Sequence, residues 1–147
     1  MEEIIKKAMQ VFEIPPHHNN YLFLLPAFYV AKADGKLSAK EIISLRYNAA
    51  KLGLLGPQDE DSRDLEIFME KKIEQFNGKI SFSDLQLLAK AINARLSKYS
   101  ADKAGAIRER VYELCIKVAG ASGPVLGDNI SEEEKQMLEQ IFYQLEK

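Results

Sequence analysis

The sequence predicts an all-α fold, a compact bundle of about seven helices in a single domain over residues 1–147. Apolar side chains recur at the three- and four-residue spacing of amphipathic helices, and no stretch alternates between apolar and polar residues as a half-buried strand does. Gly, Pro, Asn and Ser separate these periodic stretches. With 147 residues, 46% of them hydrophobic, the chain is long enough to bury a core without disulfides.

The first two helices are predicted on either side of a proline pair. Helix one runs over about Glu2–Glu13, and Ile14-Pro15-Pro16 ends it because a residue before proline avoids the helical region. Helix two begins at the Asn19-Asn20 pair and stops at Asp34-Gly35. Pro26 either kinks this helix or marks its first turn, where a proline lacking its amide hydrogen is tolerated.

Helices three and four are delimited by a capping box and by glycines. Helix three opens at Ser38, and Glu41 stands three residues on, so that each side chain can bond the other's backbone amide. Gly53 ends it in the left-handed conformation that glycine adopts most easily. After a loop to about Asp61, acidic residues gather at the start of helix four, where the helix dipole favours them. That helix ends at Asn77-Gly78.

Each of the last three helices is predicted to begin at a serine, whose hydroxyl can accept a hydrogen bond from an amide of the first turn. Helix five starts near Ser81 or Ser83, helix six starts at Ser100, and helix seven runs from Ser131 to about Leu145. Their periodicity predicts a common buried face made of Leu85, Leu88, Ile92, Leu96, Ala104, Ile107, Val111, Leu114, Val118, Met137, Leu138, Ile141 and Leu145.

Charge and composition exclude several classes of protein. A net charge of −2 lacks the basic footprint of a nucleic-acid binder, so no nucleic-acid partner is expected. Cys115 is the only cysteine, and its register with Val111 and Val118 predicts burial. The most apolar stretch, Tyr21–Ala31, has eleven residues, whereas a membrane span needs about 20. The acidic start lacks the positive charge of a signal peptide, so we expect a cytoplasmic protein.

Two segments of the chain share one pattern, which predicts a degenerate internal duplication. In both, small residues end a helix, an aspartate stands in the turn, and an aliphatic residue precedes a Ser-x-x-Glu box. The pattern is carried by Asp34, Ser38 and Glu41 in the first copy and by Asp128, Ser131 and Glu134 in the second. The second copy is five residues longer between its small-residue end and its serine, a stretch that includes Ser122–Gly127, and a weaker third echo precedes Asp84.

The first copy matches only the second half of an EF-hand calcium loop. Residues 34–41 supply the turn and the terminal glutamate, but the first and third loop positions fall on Val30 and Lys32, which cannot bind calcium. In the second copy these positions are Gly123 and Val125. Any acidic turn that enters a capped helix gives the same pattern, so neither copy is an EF-hand.

The segment Ala31–Glu41, read as Ala-x-Ala-Asp-Gly-x-aliphatic-Ser-x-x-Glu, resembles the tellurite-resistance TerB-like family, whose members carry a diverged partner segment near the C-terminus. The resemblance implies a small all-helical bacterial domain and a non-enzymatic interaction or sensing role in a stress response. It also implies protein partners near the membrane. In this chain Asn129, instead of glycine, follows the second aspartate.

The acidic positions of that family fall on Asp34, Glu41, Asp128 and Glu134. The simplest interpretation is that they form turns and caps, and the alternative is a divalent-cation site that takes Ca²⁺ or Mg²⁺ through these carboxylates. No other cofactor is expected. A hydrolase built on paired carboxylates is not favoured, because no histidine stands beside these acids in the sequence. The adjacent pair His17-His18 is interpreted as a loop whose two side chains point apart.

Overall fold

Helices make up most of the described chain. The computed structural model describes residues 2–15, 17–32, 39–55, 62–75, 80–119 and 132–146. Within these ranges it contains helices and no strand, which confirms the all-α prediction. The α-helices are α1 (Glu2–Val11), α2 (Leu25–Lys32), α3 (Ala39–Lys51), α4 (Ser62–Gln75), α5 (Phe82–Leu96), α6 (Ala101–Ala119) and α7 (Glu132–Glu146), and a 3₁₀ helix covers Asn19–Phe23.

Two helices end in the same left-handed cap. Gly53 has a φ of 72° after α3, as its position in the sequence predicts. At the end of α1 the left-handed residue is Glu13, with a φ of 54°. The amide of Ile14 then reaches back to the carbonyl of Met9 at 2.8 Å, so the chain reverses sharply after α1. The predicted end at Glu13 was therefore too late, because this glutamate forms the cap itself.

The serine caps that the structure describes have the predicted geometry. The Ser81 hydroxyl accepts a hydrogen bond from the amide of Asp84 at 3.1 Å, and the Ser100 hydroxyl accepts one from the amide of Lys103 at 3.2 Å. The weakest echo of the repeated pattern, which contains Ser81, is therefore a helix cap.

Pro26 is the second residue of α2, so it lies in the first turn of this helix, which is one of the two predicted alternatives.

The predicted caps Ser38 and Ser131 lie outside the described residues. The helices assigned to them begin one residue later, at Ala39 and Glu132. The same limit applies to most of the two turns that define the duplication, so the duplication stays a prediction.

The core is built around α2. Every residue from 21 to 31 is buried, and α2 packs against α6, α7 and α3. On one side of this centre α1 packs on α5, which in turn packs on α7. The most apolar stretch of the sequence is therefore the middle of the bundle. Within the described residues, no helix has the length and apolar character needed to cross a bilayer.

Asn93 connects three helices of the bundle. Its amide nitrogen donates to the carbonyl of Leu145 in α7 at 3.2 Å, and its amide oxygen accepts from the Arg108 guanidinium in α6 at 3.1 Å. Cys115 is completely buried on α6, as predicted. On the predicted common face of α5–α7, Ala104, Ile107 and Met137 are only partly buried, and the remaining positions are buried.

Candidate functional site

The histidine pair and Asp64 form a compact group of metal-ligating side chains. His18 Nε2 lies 3.0 Å from Asp64 Oδ2, and His17 Nε2 lies 3.8 Å from the same oxygen. One ligand atom of each residue lies within 4.8 Å of the other two. Among the described residues, this is the group of three or more His, Cys, Asp or Glu side chains close enough to hold an ion.

The backbone turn after α1 brings the two imidazoles together. The His18 amide donates to the carbonyl of Pro15 at 2.9 Å, and the His18 carbonyl accepts from the amide of Tyr21 at 3.0 Å. Within this turn the rings of His17 and His18 are 4.0 Å apart between centroids. The prediction that these side chains point apart was wrong, because adjacent side chains diverge in a strand or a regular helix and this segment is neither.

His18 is held firmly, while its two companions face solvent. Its ring stacks on the Tyr21 ring with centroids 4.7 Å apart and an angle of 6° between the planes, and its side chain is 2% exposed. The side chain of His17 is 69% exposed and that of Asp64 is 46% exposed. An ion can therefore approach from the His17 and Asp64 side and meet one imidazole whose orientation is already fixed.

Asp64 supplies negative charge at this position. It belongs to the first turn of α4, where the helix dipole favours a carboxylate. The hydrogen bond with His18 is the main cause that lowers the pKa of Asp64 below its ordinary value, and the charge of His18 acts in the same direction. Loss of hydration opposes this shift without reversing it. The carboxyl group is therefore ionised at neutral pH and needs no deprotonation before it can bind a cation.

The ligand types select the kind of ion. Two of the three ligand atoms are imidazole nitrogens, whereas Ca²⁺ and Mg²⁺ take oxygen ligands. Imidazole combined with carboxylate suits Zn²⁺ and the neighbouring divalent transition metals. Ligand atoms around a tetrahedral zinc ion are roughly 3.3 Å apart, given zinc–ligand bonds of about 2.0–2.2 Å. The separations from Asp64 Oδ2, 3.0 and 3.8 Å, lie on either side of that value, and the two imidazole ligand atoms lie within 4.8 Å of each other.

Of the sequence-predicted ligands, the structure describes only the side chain of Glu41, and this side chain is not part of the histidine and aspartate cluster. Asp34 and Asp128 lie outside the described residues, as does the side chain of Glu134. Glu41 lies in the first turn of α3 and is only 4% exposed. Among the described residues Glu41 belongs to no cluster of three potential metal ligands. Because Ser38 lies outside the described residues, the capping role of Glu41 stays a prediction.

Only part of the metal cluster could have been found from the sequence. The adjacent histidines and the acidic start of α4 are both visible as separate features. His18 and Asp64 are 46 residues apart, however, and no sequence period connects them. Their pairing depends on how α4 packs, which the local pattern does not specify.

A second surface feature lies between α3 and α4. Ile43 and Tyr47, one turn apart on α3, are 66% and 63% exposed. They border an open cavity of about 360 Å³ that Leu65 of α4 also lines. The exposed pair of Arg46 and Glu66, 3.0 Å apart, connects the same two helices. Apart from Arg46 and the hydroxyl of Tyr47, the described side chains that line this cavity are apolar.

Comparison of the chain with protein-family models, with curated proteins and with solved structures finds no match. The resemblance to the tellurite-resistance family therefore rests on the pattern over Ala31–Glu41. Function has to be inferred from the geometry of the described residues, in which the histidine and aspartate cluster has the most specific chemistry.

Proposed function

We propose that this chain is a non-enzymatic sensing module that binds one divalent transition-metal ion through His17, His18 and Asp64. The observation that supports this is the placement of two imidazole nitrogens and one carboxylate oxygen within 4.8 Å of one another. Zn²⁺ is the reference ion, because this ligand set is one that zinc takes in proteins. The Ca²⁺ or Mg²⁺ expected from the acidic turns fits these nitrogen ligands poorly.

Each ligand has a distinct part in the proposed binding. His18 is the fixed ligand, because the stacked Tyr21 ring sets its orientation. With Asp64 ionised, His18 Nε2 carries the hydrogen that is donated to the carboxylate. To bind the ion through Nε2, His18 would release this proton to water or carry its hydrogen on Nδ1 instead, so that the imidazole stays neutral. His18 Nε2 and Asp64 Oδ2 would then both bind the ion, and the hydrogen bond between them would be lost. His17 completes the set from the solvent side, and water fills the remaining coordination position.

Isothermal titration calorimetry of the untagged, chelator-treated chain with Zn²⁺ tests the proposal. One ion per chain should bind at micromolar concentrations. His17→Ala and Asp64→Asn should each weaken binding by at least about 100-fold, the upper end of what loss of a supporting group around a metal costs. His17 is the cleanest position to change, because its exposed ring contributes little to the core.

Glu70→Gln is the matched control for this titration. It removes one negative charge from an exposed position on α4, as Asp64→Asn does, but leaves the three ligands intact. Its zinc affinity should equal that of the wild type. Absence of binding heat in the wild type, or equal loss of affinity in Glu70→Gln, would rule out the proposed site. Titration with Ca²⁺ and Mg²⁺, with Asp34→Asn as the variant, tests the acidic-turn alternative separately.

The protein partners and the tellurite context stay predictions of the resemblance. On the described surface, the exposed Ile43 and Tyr47 on α3 offer one apolar surface for a partner protein. A gene neighbourhood that contains tellurium-resistance or membrane-transport genes would favour this role, and a neighbourhood without them would count against it. A metal-binding site and a partner surface on neighbouring helices are compatible with one sensing module.

A further inference from the structure

We infer that the ion held by His17, His18 and Asp64 controls the docking of α4 on the bundle. The inference rests on the proposed function and concerns how the same site is used. Two of the ligands lie in the segment between α1 and the 3₁₀ helix, and the third lies on α4. An ion bound by all three is a cross-link between these two parts of the chain.

The attachment of α4 differs from that of the other described helices. Each of the other helices packs closely along a neighbour, as α2 does on α6 and α1 on α5, whereas α4 has no comparable backbone interface with any described element. One of its connections is the Arg46–Glu66 pair, which is exposed and contributes little to stability. The docking of α4 therefore depends mainly on side chains that reach the core.

Those side chains form one stripe along α4. Leu65, Phe68, Met69 and Lys72 are all buried, and Asp64 begins the same stripe, since residues four apart lie on one face of a helix. At the far end of the stripe the Lys72 ammonium donates to the carbonyl of Phe12, close to the cap of α1. The stripe thus has polar contacts at both ends, with apolar side chains between them.

The metal cluster is continuous with this stripe. The His18 ring stacks on Tyr21, and the Tyr21 ring contacts the Phe68 ring with centroids 4.9 Å apart. The Lys72 ammonium lies 5.4 Å from the centre of the same Phe68 ring. When α4 leaves the bundle, Phe68 separates from Tyr21 and Asp64 separates from His18 together. Undocking of α4 therefore breaks the metal site.

The linkage between ion binding and docking gives the direction and the size of the ion's effect on the population of undocked α4. An ion that binds only the docked arrangement lowers the population of the undocked one by a factor of about 1 + [ion]/Kd. At free Zn²⁺ about 100 times the dissociation constant, the undocked population falls about 100-fold. Without the ion, α4 should open locally more often than α2 or α6, which have extensive packing partners.

Hydrogen exchange of the untagged full chain, followed amide by amide with and without Zn²⁺, measures this opening. In the ion-free protein, amides of α4 beyond its first turn should exchange faster than those of α6. Saturating Zn²⁺ should slow the α4 amides by up to about 100-fold. The slowing should persist in Glu70→Gln and disappear in Asp64→Asn, which keeps both histidines but removes the ligand on α4.

The outcomes separate the inference from the proposed function. If calorimetry detects zinc but α4 exchange is unchanged, the control of docking is wrong and the metal site stands. The inference also fails if α4 in the ion-free protein exchanges as slowly as α6, or if Asp64→Asn retains the full protection. If no zinc binds at all, both the site and the control of docking are overturned.

Discussion

The side chain of Cys115 lies in α6 with no exposed surface, and burial raises the pKa of its thiol above the ordinary value of 9.0. A group whose pKa is raised in the folded state stabilises that state below its ordinary pKa, and this contribution is lost as the pH rises, because only the unfolded chain ionises. Cys115 therefore acts as a small apolar core residue and not as a nucleophile.

This state of Cys115 makes a prediction at the scale of one residue. A thiol reagent should leave the native chain unmodified at neutral pH and should label one thiol once denaturant unfolds it. Above about pH 9 the wild-type free energy of unfolding should fall more steeply than that of Cys115→Ala, which has no thiol to ionise. Rapid labelling of the native chain, or identical pH slopes in urea unfolding, would contradict the assignment.

The backbone conformation after α1 explains why the side chains of His17 and His18 lie together although they are adjacent in the chain. Two adjacent side chains diverge in regular structure, but the cap formed by Glu13 and the turn that follows it place both imidazoles on one side. A glutamate in the left-handed conformation is uncommon, and nothing in the residue type indicates it. The position of His17 and His18 thus depends on a backbone conformation that the local sequence does not reveal.

Among the helices, α5 is one whose start the sequence does not fix, because either Ser81 or Ser83 could cap it. The structure selects Ser81, which precedes α5 and accepts from the Asp84 amide. Ser83 is the second residue of the helix, and its hydroxyl lies 3.3 Å from that of Ser81. The two serines therefore differ in role, although they are only two residues apart and both are exposed.

Urea unfolding of alanine variants tests this assignment. Ser81→Ala should lower the free energy of unfolding by about 1 kcal/mol, because an amide at the start of α5 loses its acceptor. Ser83→Ala is the control and should change it by less than about 0.5 kcal/mol, since alanine is a good helix former. If Ser83→Ala lowered the free energy of unfolding more than Ser81→Ala, the assignment of Ser81 as the cap would be wrong.

Within the bundle as a whole, the side chain of Asn93 connects three helices by hydrogen bonds. Its amide links α5 to α6 through Arg108 and α5 to α7 through Leu145. Removing the Asn93 amide deprives the Leu145 carbonyl and one Arg108 guanidinium nitrogen of these partly buried hydrogen bonds. The expected cost is about 1–3 kcal/mol, as for other partly buried polar groups that lose a partner.

Asn48 provides the matched control for Asn93. Its amide donates to Ser44, one turn earlier in the same helix, so it stabilises α3 locally. Asn48→Ala should cost less than about 1 kcal/mol, whereas Asn93→Ala should cost more, with an unchanged dependence on denaturant concentration. Equal losses in the two variants would show that the connection between helices adds nothing to the stability of the bundle.

Local patterns in the sequence are enough to predict the fold class, most helix boundaries and most of the core. Periodicity, prolines, glycine and serine caps act over one or two turns, so residues such as Ser81, Ser100 and Gly53 could be assigned from their neighbours. The eleven apolar residues from Tyr21 to Ala31 were likewise interpretable as core, because they are too few to span a bilayer.

The candidate site, in contrast, depends on packing between segments that are distant in the sequence. His17, His18 and Asp64 come together because α4 packs its stripe of buried side chains against the turn after α1, across 46 residues of chain between His18 and Asp64. Packing of this kind depends on shape and burial between distant segments, which leave no period in the sequence. The acidic turns can be recognised in the sequence because their residues are neighbours in the chain. The metal cluster cannot, because it combines residues that are far apart in the chain.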